Sequence, residues 1–323
     1  MSQTEKVTPY RRKPTTSPKV SPPSGAGSSD SSGALVFGCG YLGRSVAESL
    51  LASGTRVWAT TRSREKAELL SETGFEPIIA DWCEPATLRD LPRVERVLVA
   101  VSYDRTSSQS RWQSQVGGFT NLLDKLHPTT QICYISTTGV YHQTDGSWID
   151  ESSPTSPQRA GGKVHLEAEA CLASASASAQ RTILRLSGIY GPGRVPRAAD
   201  VIAGKPIASM QEGYLNLIHV QDATRAVIQS WNSQPHSLYL VSDDQPVRRG
   251  DFYGEIAKQT NSPEPQFVIP KPDSPKSARS ESNKRIRNSR MKSDLIPILR
   301  FPSYREGLAQ TLAAITSETK PAD

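Results

Sequence analysis

Three glycines at fixed spacing, Gly38, Gly40 and Gly43 in the run GCGYLG, are the residues of this chain best suited to holding a phosphate. An apolar run, Ala34 to Phe37, leads into them; an amphipathic segment follows to about Ser53, and a second apolar run begins at Val57. That order predicts a strand, a tight turn, a helix and a second strand. Gly38 then makes the turn, Gly40 lets a pyrophosphate approach bare backbone, and Gly43 lets helix and strand pack closely. Tyr41 and Leu42 open the helix, whose unpaired N–H groups would face the phosphates. The chemistry implied is the binding of a dinucleotide.

The end of the second strand bears on which dinucleotide. An NAD-specific site carries an acid about 20 residues after the last glycine, on the ribose hydroxyls. This chain has Thr60-Thr61-Arg62-Ser63-Arg64 there, with no acid. Arg62 can pair with a 2′-phosphate while the neighbouring hydroxyls hydrogen-bond to it, so the expected cofactor is NADP, with NAD the weaker reading. Asp81, after the short strand Glu76 to Ala80, is placed to meet the adenine edge. Ala100 ends the continuous apolar run Val94 to Val101, and ligands collect beyond the carboxyl ends of such strands. Ser136 and Thr137 leave a further strand, from Gln131, at the same edge.

These positions need a scaffold, and the alternation of apolar runs with helical segments supplies one. Strands near 34, 57, 77, 95, 132 and 182 predict an α/β fold, a Rossmann-type doubly wound parallel sheet with a small C-terminal substrate lobe. In a chain of 323 residues the expected organisation is a basic tail rich in Ser, Thr and Pro over 1–32, a dinucleotide-binding domain over 33–242, and a lobe over 243–318 to which 192–213 contributes. The tail holds Lys6, Arg11, Arg12, Lys13 and Lys19 against Glu5 and Asp30, half of the chain's net +6. The folded part lacks a basic patch interleaved with aromatics, so no nucleic-acid partner is expected. No apolar run approaches the ~20 residues that cross a bilayer. Residues 1–32 have no apolar core that would make a secretory signal. Cys39, Cys83, Cys133 and Cys171 lack metal-ligand spacing and read as reduced thiols of a cytoplasmic protein, with no metal site.

Ser136-Thr137-Thr138-Gly139-Val140-Tyr141, then Asp150-Glu151 with Pro154 and Pro157, then Lys163 four residues before Glu167, resembles the extended short-chain dehydrogenase/reductases, which include the NAD-dependent epimerases and dehydratases of nucleotide sugars. Thr182 to Arg194, Asn216 to Ala223 and Leu238 to Val247 extend the resemblance. Lys284-Arg285 with Asn288, and Phe301 to Leu308, are similar to the closing motifs of an atypical, YeeZ-like branch. The resemblance implies that Thr137, after Ser136, hydrogen-bonds the reacting oxygen. It implies that Lys163 binds the nicotinamide ribose and lowers the pKa of a tyrosine base four residues earlier. Arg159 stands at that position. An arginine stays protonated in proteins and cannot act as the base.

Arg159 is therefore either a holder of a substrate carboxylate or phosphate or a loop residue beside two glycines. Tyr103, just past a strand end, is the candidate substitute for the proton transfer. Arg194 and Asn216, with the segment Lys284 to Asn288, are candidates to face a polar substrate, and His219, between apolar neighbours, reads as structural. Two functions remain open at this point: an NAD(P)-dependent oxidoreductase or epimerase/dehydratase-like enzyme acting on a small polar or nucleotide-sugar-like molecule, and a non-catalytic NADP(H)-binding sensor.

Overall fold

The computed structural model describes residues 33–175, 180–232, 235–270 and 281–318; the basic tail over 1–32 lies outside the described residues. Its centre is a seven-stranded sheet built from β1 (Ala34–Phe37), β2 (Val57–Thr61), β3 (Glu76–Ile79), β4 (Arg96–Val99), β5 (Gln131–Thr137), β6 (Arg181–Leu186) and β7 (Leu238–Val241). The strand order is β7-β6-β5-β4-β1-β2-β3, and every neighbouring pair is parallel. Both arms grow outward from the β1–β4 pair, so the order reverses beside β1, where a doubly wound sheet opens its ligand crevice.

Local sequence explains the strand positions. β1 (ALVF) is buried along its whole length, as a central parallel strand covered on both faces must be. β3 (EPII) alternates half-buried and exposed residues and tolerates Pro77 because it lies at the edge, where one row of hydrogen bonds is not needed. Within the segment Leu238 to Val247, Leu238–Val241 joins the main sheet beside β6 as its seventh strand.

Among the described residues the helices are α1 (Tyr41–Ala52), α2 (Arg64–Glu72), α3 (Gly118–Leu123), α4 (Ala160–Ser174), α5 (Ala198–Ile202), α6 (Val220–Ser230), α7 (Arg249–Gln259), α8 (Ser289–Asp294) and α9 (Tyr304–Glu318). On one face of the sheet Val46 and Leu50 of α1 pack with Ala223 and Val227 of α6; on the other Phe119 and Leu122 of α3 pack with Ala168 and Leu172 of α4. The helical segment between β4 and β5 contains one π-helical turn, Gln113–Gly117, before α3. A separate apolar cluster joins Tyr190, Val201 and Ile207 to Phe252, Ile256 and Leu308.

Two short parallel strands, Trp148–Ile149 and Arg285–Ile286, tie the late chain to the loop after β5. The Arg285 guanidinium lies between aromatic rings, 4.9 Å from the centre of Trp148 and 5.1 Å from that of Tyr214. Among the described residues no helix is long and apolar enough to cross a membrane. All four cysteines are thiols without disulfides.

Candidate functional site

Two cavities open along the carboxyl edge of the sheet. The larger, about 800 Å³, runs from the glycine turn to the ends of β2 and β4 and is lined by Gly38, Gly40, Arg62, Asp81 and Ala100 among others. Gly40 caps α1 without any side-chain cap, so the first amides of that helix are left to an external acceptor. A Cβ built on Gly40 would meet nothing within 4 Å, whereas one on Gly43 would press into the carbonyl oxygen of Gly38. Gly38 has φ +101° and donates its N–H to Thr60 Oγ1 at 3.0 Å, which fixes the turn from β2. A bare, open backbone facing uncapped amides fits a pyrophosphate, and the turn around it has no slack.

Arg62 lies on the rim of this cavity. Its Nη2 donates to Asp104 Oδ2 at 2.7 Å, and its Nη1 is 3.8 Å from Asp81 Oδ2. Hydrogen bonds from Thr106 and Arg62 hold the Asp104 carboxyl well below the usual carboxylate range. Asp104 was not evident in the sequence because its pairing spans a loop between two strand ends. Cys39 also lines this cavity, and burial pushes its thiol up to about 11, so it carries no thiolate at neutral pH.

The smaller cavity, about 260 Å³, is lined by Thr137, Arg159, Asn216, Arg249, Lys284 and neighbouring residues. Thr137 Oγ1 accepts from the Gly139 N–H at 3.0 Å, which leaves the hydroxyl hydrogen to donate elsewhere. A Cβ on Gly139 would sit 3.1 Å from Thr137 Oγ1 and 3.3 Å from Arg159 Nη2, so both groups flank one point at the end of β5. Asn216 serves this site indirectly. Its amide donates to the Lys284 carbonyl at 3.0 Å and accepts from the Ile286 N–H at 2.9 Å, holding the segment that carries Lys284. Lys284 Nζ, nearly buried, donates to the Tyr141 carbonyl at 3.1 Å and to Ser282 Oγ at 2.7 Å. Burial, then the neighbouring Arg159 and Arg249 charges, bring its pKa down to about 8.

Several of the residues singled out in the sequence line neither cavity. Ser136 lines neither cavity: it is buried, and its hydroxyl donates to Glu169 Oε1 at 2.5 Å on the far side of β5. Successive strand residues point to opposite faces, so Ser136 and Thr137 cannot both face the cofactor. Leu42 is buried in the core and offers only backbone. Tyr103 also lines neither cavity; its hydroxyl donates to the Gln109 carbonyl at 3.1 Å and its ring lies under the Arg111 guanidinium at 4.2 Å. It is not placed to replace a missing base. Lys163 is exposed in the first turns of α4 and lines neither cavity. Tyr41 and Arg194 meet each other: the Tyr41 hydroxyl donates to the Pro192 carbonyl at 3.0 Å, and Arg194 lies 5.4 Å over its ring. The loop after β6 is thereby tied to the start of α1. His219 is fully buried, caps α6 by accepting from the Gln221 N–H, and has its pKa lowered to about 4 by burial.

Below the smaller cavity lies a buried network that sequence reasoning missed. Arg185 of β6 donates through Nη2 to Glu169 Oε2 at 2.6 Å, through Nε to Glu169 Oε1 at 3.0 Å, and through Nη1 to the Tyr141 hydroxyl at 2.5 Å. With Ser136 it joins β5, β6, α4 and the turn that follows Thr137. The signal was available: an arginine inside the apolar strand Ile183-Leu184-Arg185-Leu186 needs a counter-charge, and Glu169 lies on the helix face of Ala168 and Leu172.

Comparison with known proteins agrees with this geometry. No curated protein matches the sequence. A conserved protein of unknown function from Silicibacter pomeroyi is 29% identical, with a TM-score of 0.72 over 88% of this chain and 99% of that one. A protein from Methylobacillus flagellatus assigned as an NAD-dependent epimerase/dehydratase is 30% identical, with a TM-score of 0.69 over 88% and 99%. The fold is shared at 18% identity by MoeE5, solved in complex with UDP-glucose and NAD, with a TM-score of 0.70 over 89% and 100%. Residues 34–236 match the model of the NAD dependent epimerase/dehydratase family. With that match spanning β1 to the end of α6 and the Methylobacillus protein aligned along nearly all of its length, the chain belongs to the NAD-dependent epimerase/dehydratase family.

Proposed function

We propose that this protein is an NADP-dependent oxidoreductase, or an epimerase/dehydratase-like enzyme, that acts on a small polar molecule held in the cavity beside Thr137. The observation that carries the reading is the adjacency of Thr137 and Arg159 at the end of β5, on the same sheet edge as the open glycine turn. When bound, the cofactor supplies or accepts a hydride. The glycine turn and the first amides of α1 hold its pyrophosphate, Arg62 meets the 2′-phosphate, and Asp81 and Ala100 border the adenosine end. Lys163 is assigned to the nicotinamide ribose by the resemblance alone. Thr137 donates its hydroxyl hydrogen to the reacting oxygen, and the network of Glu169, Arg185 and Tyr141 fixes the strand ends that position it.

A small-molecule substrate follows from the cavity, and MoeE5, which binds UDP-glucose, suggests the sugar-nucleotide class as a starting point for assay. Arg159 favours a second reading. With a permanent cation where the resemblance places a tyrosine base, the protein would bind NADP(H) without turnover, as a sensor.

Assay of sugar nucleotides, aldehydes, ketones and hydroxy acids with both oxidised and reduced cofactor separates the two. For the enzyme, Thr137→Ala is expected to lower kcat about a hundredfold, the size of losing one transition-state donor, with little change in cofactor affinity. Arg159→Tyr raises activity if the base position is vestigial and lowers it if Arg159 holds the substrate. Tight NADPH binding with no turnover on the whole panel, by the unmodified protein and by Arg159→Tyr alike, would establish the sensor reading instead.

A further inference from the structure

Three cations reach the cavity beside Thr137 from three separate segments. Arg159 comes from the residue before α4, Arg249 from the start of α7, and Lys284 from the segment held by Asn216. Two of them are deeply buried: Arg249 is 5% exposed and Lys284 7%. For Lys284, taking an ammonium out of water is costly unless a counter-charge meets it. The two partners of Lys284 among the described residues, the Tyr141 carbonyl and the Ser282 hydroxyl, are both neutral. Arg249 donates to the carbonyl of Ser282 at 2.9 Å. No aspartate or glutamate is among the described residues lining the cavity. Glu281 borders it in sequence, and its charge acts on His142, which also feels Lys284 and Arg159.

The same cavity contains hydroxyls suited to an acceptor. Ser187 is 6% exposed, and its Oγ has no hydrogen-bond partner among the described residues. Thr137 keeps its hydroxyl hydrogen, since its oxygen already accepts from Gly139. A guanidinium matches the planar oxygens of a carboxylate or the edge of a phosphate in a bidentate fork, and a lysine adds a point charge to either. The volume of about 260 Å³ corresponds to roughly eight or nine waters, space for a short organic acid or a small phosphorylated molecule. A nucleotide of a neutral sugar, such as UDP-glucose, carries its charge on the diphosphate, away from the ring carbon that reacts.

We propose that this cavity is an anion site: the substrate is a small molecule whose carboxylate or phosphate is held by Arg159, Arg249 and Lys284, with Ser187 donating, so that its charge lies beside the reacting carbon. The proposal rests on the reading of this cavity as the substrate site and names the class of molecule it takes.

Calorimetric titration of the full chain tests it, with inorganic phosphate and with L-malate as probes, at constant ionic strength and with saturating NADPH to keep the probes out of the cofactor cleft. NADPH binding is titrated first and separately. If it fails, the dinucleotide reading fails, and the probes are then titrated into the cofactor-free protein. The expected result is saturable binding of at least one probe, weakened about tenfold to a hundredfold by Lys284→Met and by Arg159→Gln, as for the loss of a charged hydrogen bond. Both variants are chosen because neither opens a large hole, and unchanged NADPH affinity in each shows that the sheet is intact. Phosphate alone binding identifies a phosphorylated substrate, and malate alone an organic acid. No binding of either probe, binding that survives both substitutions, or displacement of a bound probe by UDP-glucose at lower concentration than by any small acid would overturn the proposal.

Discussion

Gly40→Ala is expected to leave the protein folded, with stability within about 1 kcal/mol of the unmodified chain, and to weaken NADPH binding about a hundredfold. The backbone at Gly40 is extended, with φ −85° and ψ −156°, a conformation alanine adopts without strain, and the added methyl would meet no atom of the protein within 4 Å. The only thing that methyl obstructs is the approach of a ligand to the amides of α1. A hundredfold loss corresponds to about 2.7 kcal/mol, the scale of losing close hydrogen bonds to a charged group. Gly43→Ala is the contrasting control. Its methyl would press into the Gly38 carbonyl, so it should lower stability and NADPH affinity together. Thermal melting and fluorescence titration on the two variants check the pair; equal NADPH affinity in Gly40→Ala and the unmodified chain would remove the pyrophosphate from this turn.

The second large effect is on stability. Glu169→Gln removes the counter-charge of Arg185 while both side chains are 7% exposed. Breaking one side of a buried pair costs about 3 to 5 kcal/mol, because the remaining charge is left in a medium that solvates it poorly. For a domain of this size that is a fall in melting temperature of roughly 10 °C. Replacing both partners, Glu169→Leu with Arg185→Leu, should recover more than half of the loss, since no charge is then stranded. A Glu169→Gln melting point within about 2 °C of the unmodified protein would show that the pair contributes little. Because Arg185 also donates to Tyr141, Glu169→Gln should lower turnover as well, through the turn that follows Thr137.

The sheet and the glycine turn were legible in the sequence for a physical reason. A central parallel strand must be apolar throughout, a dinucleotide turn must have glycines where side chains would collide, and both conditions act on residues close together in the chain. Ala34 to Phe37 and Gly38 to Gly43 carry them without reference to anything distant. The smaller cavity obeys no such local rule. Lys284 comes near Arg159 through the pairing of Trp148–Ile149 with Arg285–Ile286 and through Asn216, which holds both sides of Arg285, and Arg249 through the pairing of Val247–Arg248 with Tyr214–Leu215. Their spacing in sequence therefore says nothing of their meeting. Ser136 shows the opposite difficulty: the sequence put it beside Thr137, and the two-residue period of a strand put it on the other face, against Glu169.

The proposed preference for NADP rests on Arg62, and the structure changes the expected size of the effect. Arg62 already pairs with Asp104 and stands near Asp81, so a 2′-phosphate must displace one carboxylate and tolerate the other. A charged hydrogen bond contributes about 1.5 to 3 kcal/mol, and the displaced pair, being solvent-exposed, offsets up to about 1 kcal/mol of it. Titration of the unmodified chain and of Arg62→Ala with NADPH and NADH is the most direct measurement of the account. It predicts saturable binding of both dinucleotides, NADPH tighter by about tenfold, and that gap closing in Arg62→Ala; saturable binding of neither would contradict the dinucleotide site on which the rest depends.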